Sequence, residues 1–397
     1  MGKLKSTRYS VNQRFKTIKN HLKIKDNMNK QALLDPYNGK NLVLKNRVVM
    51  SPMTRSRANN EGNVPTEELQ GLYYEQRASA GLIITEGSQV SPRAVGYINT
   101  PGIHTKAQIE GWKKITKRVH DKGGKIFIQL WHVGRVSHPD FHNGELPLAP
   151  SAVNPHDEVY TSEGRKQTPT PKEMTLAEIN ETINDFKNAA KNGMEAGFDG
   201  VEIHSSNGYL FHQFFNGTTN KRTDSYGGSI ENRARFFFDV LDAIKEVVPE
   251  EKIGARFNPS LNNVFGMTMD EQTIPTFEYI IKKLNDYNLA YVHLSEPFSD
   301  VSNIPYAVTE IAKHFRPLYN GTLIINAGFT QEKGNAIIEA GHADLVSFGK
   351  LYISNPDLVE RFENNLELTD WNTDTFYTPG PGGYTDYKKS TANEQII

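Results

Sequence analysis

The sequence predicts a single (β/α)8 TIM barrel of the α/β class, and three observations carry that prediction. From about Lys45 to about Asn365, eight short apolar runs alternate with amphipathic segments. The first run ends in Met50-Ser51-Pro52-Met53-Thr54 with no glycine, whereas a doubly wound open sheet carries a Gly-rich dinucleotide turn after its first strand. Side chains able to do chemistry collect at the carboxyl ends of the runs, where a barrel builds its site.

Taken in order, the predicted strands are Arg47–Ser51, Gly81–Glu86, Lys125–Trp131, Gly200–His204, Lys252–Arg256, Ala290–Leu294, Thr322–Asn326 and Ala343–Phe348. Each holds aliphatic or aromatic residues over a strand length and is bounded by polar or glycine positions. Helix-period patterns lie between them. Leu176, Ile179, Ile183, Phe186 and Ala190 mark one face, opened by the capping box Thr175-Leu176-Ala177-Glu178. Phe237, Val240, Leu241, Ile244 and Val248 mark a second, with Ser229 placed to cap it. A third begins at Thr330 and ends at Ala340-Gly341. The segment from 132 to 174 carries six prolines (139, 147, 150, 155, 169 and 171) and no clear periodicity, which predicts a lid or pocket wall.

Charge divides the chain of 397 residues unevenly. Eight basic residues and no acidic one precede Asp26, although the whole chain has a net charge of −1. Without them the remainder is mildly acidic, which gives no reason to expect a nucleic-acid partner. Residues 1–27 read as a dispensable basic extension ahead of a possible second start at Met28, and 28–397 as the barrel. The extension lacks the apolar core of a secretory signal, and no run is long enough to span a bilayer. There are no cysteines, so disulfides, thiolate metal sites and cysteine-held iron–sulfur clusters are excluded. A reducing cytoplasm is the expected location, with the chain acting as a monomer or homodimer.

The strand ends supply the candidate chemistry. The fourth gives His204, Asn207 and Tyr209: two donors that could converge on one oxygen, and a phenol that could deliver a proton nearby. A polar loop with a merely satisfied histidine is the competing reading of that run alone. The first end gives Pro52, Met53 and Thr54; the second, Glu86-Gly87; the third, Gln129, Trp131 and His132; the fifth, Arg256. Glycines 328 and 349 end the seventh and eighth strands, where barrels commonly hold phosphate on backbone N–H groups. His204 and His212 are eight residues apart, which fits no standard metal-ligand spacing.

Several longer segments carry a resemblance. They are Asn46 through Arg55; Gly96-Tyr97 through Thr100-Pro101-Gly102-Ile103; Gln129-Leu130-Trp131-His132-Val133-Gly134-Arg135; His212-Gln213-Phe214 through Lys221 to Arg233; and Gly382-Gly383-Tyr384-Thr385-Asp386-Tyr387. From about Leu33 to about Tyr387 the chain resembles the Old Yellow Enzyme family of flavin-dependent ene-reductases, in its Thr-bearing branch. The resemblance implies non-covalent FMN across the barrel mouth, reduced by NADPH or NADH. It implies that Pro52, Met53, Thr54 and Gly87 line the flavin ring and that Gln129 and Arg256 meet its pyrimidine edge. Gly328, Gly349 and Lys350 fall where the phosphate is held; the family's usual Arg is Lys350 here, which keeps the charge but loses the planar fork.

By the same resemblance, His204 and Asn207 grip the carbonyl or nitro oxygen of an activated alkene. Tyr209 protonates the α carbon, and Tyr97 and Trp131 shape the substrate pocket. Enones, enals and nitroalkenes are the implied substrates, with nitro compounds and nitrate esters as further possibilities. A redox-sensing or binding flavoprotein without turnover is the alternative. Phe265 lies in a loop that departs from the family's pattern, so the resemblance assigns it no role. His132 and His212 read as structural, Arg222, Asp224 and Arg233 as one loop-bracing ion network, and Tyr352 and Tyr377 as packing or pocket rim.

Overall fold

The computed structural model describes residues 31–59 and 61–390; the basic extension predicted over 1–27 lies outside the described residues. All eight predicted strands are present: β1 (Val48–Met50), β2 (Leu82–Gln89), β3 (Ile126–Trp131), β4 (Gly200–His204), β5 (Ile253–Phe257), β6 (Tyr291–Ser295), β7 (Leu323–Asn326) and β8 (Leu345–Phe348). They pair in parallel and in sequence order, and β8 closes on β1. The barrel helices are α1 (Leu72–Gln76), α2 (Lys106–Asp121), α3 (Leu176–Glu195), α4 (Leu210–Phe215), α5 (Ile230–Lys245), α6 (Thr273–Lys283), α7 (Ile311–Phe315), α8 (Gln331–Glu339), α9 (Lys350–Ser354) and α10 (Leu358–Asn364). The predicted caps form: Thr175 and Glu178 make the reciprocal box of α3, Ser229 caps α5 and Thr330 caps α8.

Period-two alternation along each strand divides the core in two. Outward residues such as Met50, Ile83, Ile128, Leu130, Ile203 and Leu294 join the helices in one large cluster. Inward residues Val49, Leu82, Ile84, Phe127, Tyr291, Ile324 and Leu345 form a second, closed below by Tyr37, Leu42 and Leu44 of an N-terminal hairpin. Above that apolar layer the inward positions turn polar: Gln129, Glu202, His293, Asn326 and Ser347. The barrel interior is therefore stratified, with a dry plug at the bottom and hydrogen-bonding groups towards the carboxyl ends.

Two differences from the sequence reading stand out. β2 runs to Gln89 rather than Glu86, because the pairing with β3 shifts register between Ile84 and Gly87 and lets the strand continue past a bulge. The 132–174 segment contains an antiparallel hairpin, Glu158–Thr161 with Gly164–Gln167, and a short parallel pair, Leu148–Ala149 with Lys172–Glu173. The hairpin is largely polar, so no apolar alternation announces it. Among the described residues no helix is long and apolar enough to cross a membrane.

Gly254 shows how tightly the plug is filled. A Cβ there would stand 2.3 Å from Cζ of the buried Tyr291 ring. Overpacking of this kind costs about 1–3 kcal/mol. Gly254→Ala is expected to lower the urea midpoint of unfolding with an unchanged denaturant slope, and an unaltered midpoint would show that the ring has room to shift.

Candidate active site

A cavity of about 740 Å³ opens at the carboxyl ends of the strands. Its wall includes Pro52, Thr54, Gly87, Tyr97, Gln129, Trp131, His204, Asn207, Tyr209 and Arg256, ten of the residues singled out by sequence. It also includes Tyr377, expected as packing or pocket rim, and Ser56, Ile98, Tyr160, Phe265, Thr373, Asp374 and Thr378, which the sequence did not assign to a site. Met53, Gly328, Gly349 and Lys350 are not among the lining residues. A Cβ on Gly349 would meet the Met53 sulfur at 3.4 Å, Gly328 adopts a left-handed φ of +75° beside open space, and the Lys350 ammonium stands 5.6 Å from the centre of the Trp371 ring.

The end of β4 is shaped by local backbone chemistry. Asn207 and Gly208 have φ of 58° and 82°, a left-handed pair that turns the chain from the strand into α4. Asparagine is among the few non-glycine residues that adopt this region readily. Asn258 Nδ2 donates to Asn207 Oδ1 at 3.4 Å, which leaves the Asn207 amide N–H group for the cavity. The Ser206 hydroxyl lies 3.1 Å from His204 Nδ1. Burial, reinforced by Arg256, His293 and His212, holds the His204 pKa well below its ordinary value, so the ring is neutral. A neutral His204 that accepts from the Ser206 hydroxyl at Nδ1 carries its proton on Nε2, and the His204 and Asn207 side chains line one cavity.

Trp131 organises the aromatic wall. It stacks on Tyr97 at 5.5 Å between ring centres and on His204 at 6.2 Å, and meets Tyr209 edge-on at 5.1 Å. Gly87 permits this placement, since a Cβ there would lie 2.7 Å from the indole. The Tyr97 and Tyr209 hydroxyls are 3.1 Å apart. Burial pushes the Tyr209 phenol up to about 12, with the Tyr97 hydrogen bond pulling the other way, so Tyr209 is protonated at neutral pH. The Phe265 ring lies 5.7 Å from that of Tyr209, and its backbone oxygen accepts from Arg135, which fixes the loop that sequence left unassigned.

Beneath the cavity the polar layer forms a continuous circuit through the barrel. Gln129 Nε2 donates to Glu202 Oε1 at 2.8 Å, and Glu202 Oε2 lies 2.9 Å from His293 Nδ1. His293 Nε2 and Ser347 Oγ are 2.8 Å apart, as are the Ser347 and Ser51 hydroxyls. Asn326 Nδ2 donates to Ser51 at 2.7 Å, and Arg256 donates to Asn326 Oδ1 at 3.1 Å. Arg256 is buried, with Nε unpartnered and only a long 3.5 Å contact to Ser295 besides Asn326. An under-satisfied buried cation, the Trp131 indole N–H without a partner and a flat strip of Pro52, Thr54 and Gly87 fit a planar cofactor with an electron-rich edge.

The mouth is finished by the C-terminal tail, residues 373–384. Arg57 donates to the carbonyls of Thr375, Phe376, Gly380 and Gly382; Arg55 donates to those of Phe376 and Gly383. The Tyr384 ring stacks on Tyr73 at 4.0 Å. Both arginines follow directly on the Pro52–Thr54 strip.

Residues 32–369 match the model of the NADH:flavin oxidoreductase / NADH oxidase family. The chain belongs to this family. Its members include the Old Yellow Enzyme type that the sequence motifs resemble. It is 42% identical over 363 residues to 12-oxophytodienoate reductase 1 of Oryza sativa subsp. japonica, covering 89% of this chain and 92% of that one. It is 39% identical over 360 residues to 12-oxophytodienoate reductase 2 of Arabidopsis thaliana, covering 89% and 95%. Among solved structures, morphinone reductase aligns with a TM-score of 0.85 at 41% identity, covering 92% and 98%, and has also been solved with tetrahydroNAD. The Old Yellow Enzyme homologue of Zymomonas mobilis aligns with a TM-score of 0.85 at 37% identity, covering 90% and 99%. This family member is therefore an FMN-dependent oxidoreductase on a TIM barrel, served by a nicotinamide reductant.

The remaining expectations divide. His132 accepts from the Gly134 N–H and His212 from the Gly208 N–H, and each braces a turn. Tyr352 is buried packing, whereas Tyr377 stands on the rim, 65% exposed. The expected ion network of three residues is corrected: Arg222 pairs with Asp224, but Arg233 instead donates to Phe215, Gly228, Gln272 and Thr276, because α5 turns it towards α6.

Buried neutral histidines make the fold sensitive to acid. Burial lowers His132 to about 3, His142 to about 4 and His212 to about 3. Their unfolded counterparts titrate near 6.5, so the unfolded state binds more protons in between. That stability is present above pH 6.5 and is lost as pH falls from there towards 3–4, at up to about 1.4 kcal/mol per histidine per pH unit. Urea midpoints are expected to drop steeply from pH 7 to pH 5; a flat profile would show that these rings are charged in the fold.

Proposed function

We propose that this enzyme reduces the C=C bond of alkenes activated by a carbonyl or nitro group, using NADPH or NADH as the electron source. The observation that supports the reading is that His204, Asn207 and Tyr209 all stand on the wall of one cavity, with the Tyr209 hydroxyl 3.1 Å from that of Tyr97. Bound FMN would supply the hydride chemistry, linking oxidation of the nicotinamide to reduction of the alkene. Pro52, Met53, Thr54 and Gly87 would lie along its ring, Gln129 and Arg256 at its pyrimidine edge, and Gly328, Gly349 and Lys350 at its phosphate.

His204 and Asn207 hold the substrate's electron-withdrawing oxygen, and this orients the β carbon towards the cavity floor. Negative charge builds on that oxygen as the β carbon gains hydride. Each N–H donor lowers the barrier by about 3 kcal/mol. The Tyr209 O–H bond then breaks, its proton passing to the α carbon and its electron pair remaining on the phenolate oxygen. Hydride and proton together add the two hydrogens of the saturated product. Tyr97 and Trp131 pack against the substrate and against Tyr209. Nothing in this sequence of steps needs a metal.

Two measurements test the assignment. Tyr209→Phe is expected to leave FMN binding and NADPH oxidation intact while slowing 2-cyclohexenone reduction by about 100-fold or more; unchanged turnover would remove Tyr209 from the acid role. His204→Ala combined with Asn207→Ala is expected to abolish the long-wavelength absorbance that para-substituted phenols produce on binding over the flavin. Retention of that absorbance would take the oxygen-holding role away from both side chains.

A further inference from the structure

We propose that Glu202 is the counter-charge that holds down the reduction potential of the bound cofactor, by offsetting Arg256 from within the barrel. The inference rests on the FMN reading above and extends it to a residue outside the cavity wall. Glu202 has no exposed surface, and its strand neighbours are apolar. An ionised carboxylate is not kept in such a place without donors to both oxygens. Gln129 Nε2–H donates to Oε1, and His293 Nδ1 lies 2.9 Å from Oε2.

With a neutral His293 donating from Nδ1, Glu202 is the acceptor-only carboxylate that the proposal requires. His293 cannot supply the missing positive charge, because burial lowers its pKa and keeps the ring neutral despite Glu202 beside it. Arg256 is the compensating cation. It is paired in register with His204, two residues above Glu202 on the same inward face, or about 7 Å of strand. The other titratable groups packed around the layer, His204 and Tyr291, are neutral. With Glu202 as the counter-charge, the layer has a net charge of zero, not +1.

That balance matters where Arg256 meets the cofactor. Two-electron reduction builds negative charge at the pyrimidine edge, and a layer of net +1 would favour it more than a neutral one. Glu202 thus moderates Arg256 and keeps the reduced cofactor a strong enough hydride donor to act on an alkene. Glu202 is not on the cavity wall; it positions Gln129 and sets charge by its own field, which adds to that of Arg256.

The test is the FMN midpoint potential of the holoenzyme, measured anaerobically against a reference dye. Glu202→Gln is nearly isosteric, and His293 can meet its new N–H by changing tautomer. The variant is expected to favour the reduced state by tenfold or more, a rise of about 30 mV or more for a two-electron couple. Ser347→Ala cuts the hydrogen-bonded circuit but keeps the charge, and is expected to leave the potential at the wild-type value. An unchanged potential in E202Q, or equal shifts in E202Q and S347A, would overturn the proposal. Should E202Q not accumulate as folded protein, E202Q/R256Q is compared with R256Q, and the double variant is expected to sit higher by the same tenfold; equality overturns the proposal. Titration of the apoprotein with FMN separates the two readings, since failure to bind FMN overturns the parent reading as well, whereas tight binding with an unmoved potential overturns this one alone.

Discussion

A carboxylate with no solvent exposure sits halfway up the inside of this barrel, and the geometry of the cavity above depends on how it is held. Removing Glu202 from water carries a large desolvation cost, offset only by well-made hydrogen bonds and a nearby cation. Those requirements reach across the barrel, from Gln129 on β3 through His293 on β6 and Ser347 on β8 to Asn326 on β7 and Arg256 on β5. The two ends of the chain of contacts, Gln129 and Arg256, are also cavity walls. A shift of either would break a buried hydrogen bond, to Glu202 or to Asn326.

On that floor the aromatic cavity wall is assembled by shape. The absent side chain at Gly87 admits the Trp131 indole, and the indole in turn fixes the attitudes of Tyr97, His204 and Tyr209. The left-handed pair Asn207-Gly208 ends β4 abruptly enough that a strand-end imidazole, a carboxamide and a phenol share one space. Strand ends set the height of each group and a single aromatic slab sets its direction.

What was legible in the sequence follows from this division. Parallel strands covered on both faces read as continuous apolar runs, so all eight could be placed, and helix caps such as Thr175 and Ser229 are local enough to recognise. The groups at strand ends were legible once a barrel was assumed. Tyr160, Thr373, Asp374 and Thr378 were not, because they arrive from a polar hairpin and from a tail more than a hundred residues away from most of the wall. The buried circuit was missed as well, although a signal existed: Glu202 in Val201-Glu202-Ile203 and His293 in Val292-His293-Leu294 interrupt runs that otherwise admit no polar residue.

The tail clasped by Arg55 and Arg57 ties the beginning of the barrel to its end. During synthesis, the strip that follows β1 leaves the ribosome early, while residues 373–384 emerge only after every strand has been made. Arg55 and Arg57 therefore wait through nearly the whole translation of the chain before their carbonyl acceptors exist. The cavity mouth therefore cannot be completed before every strand of the barrel has been made.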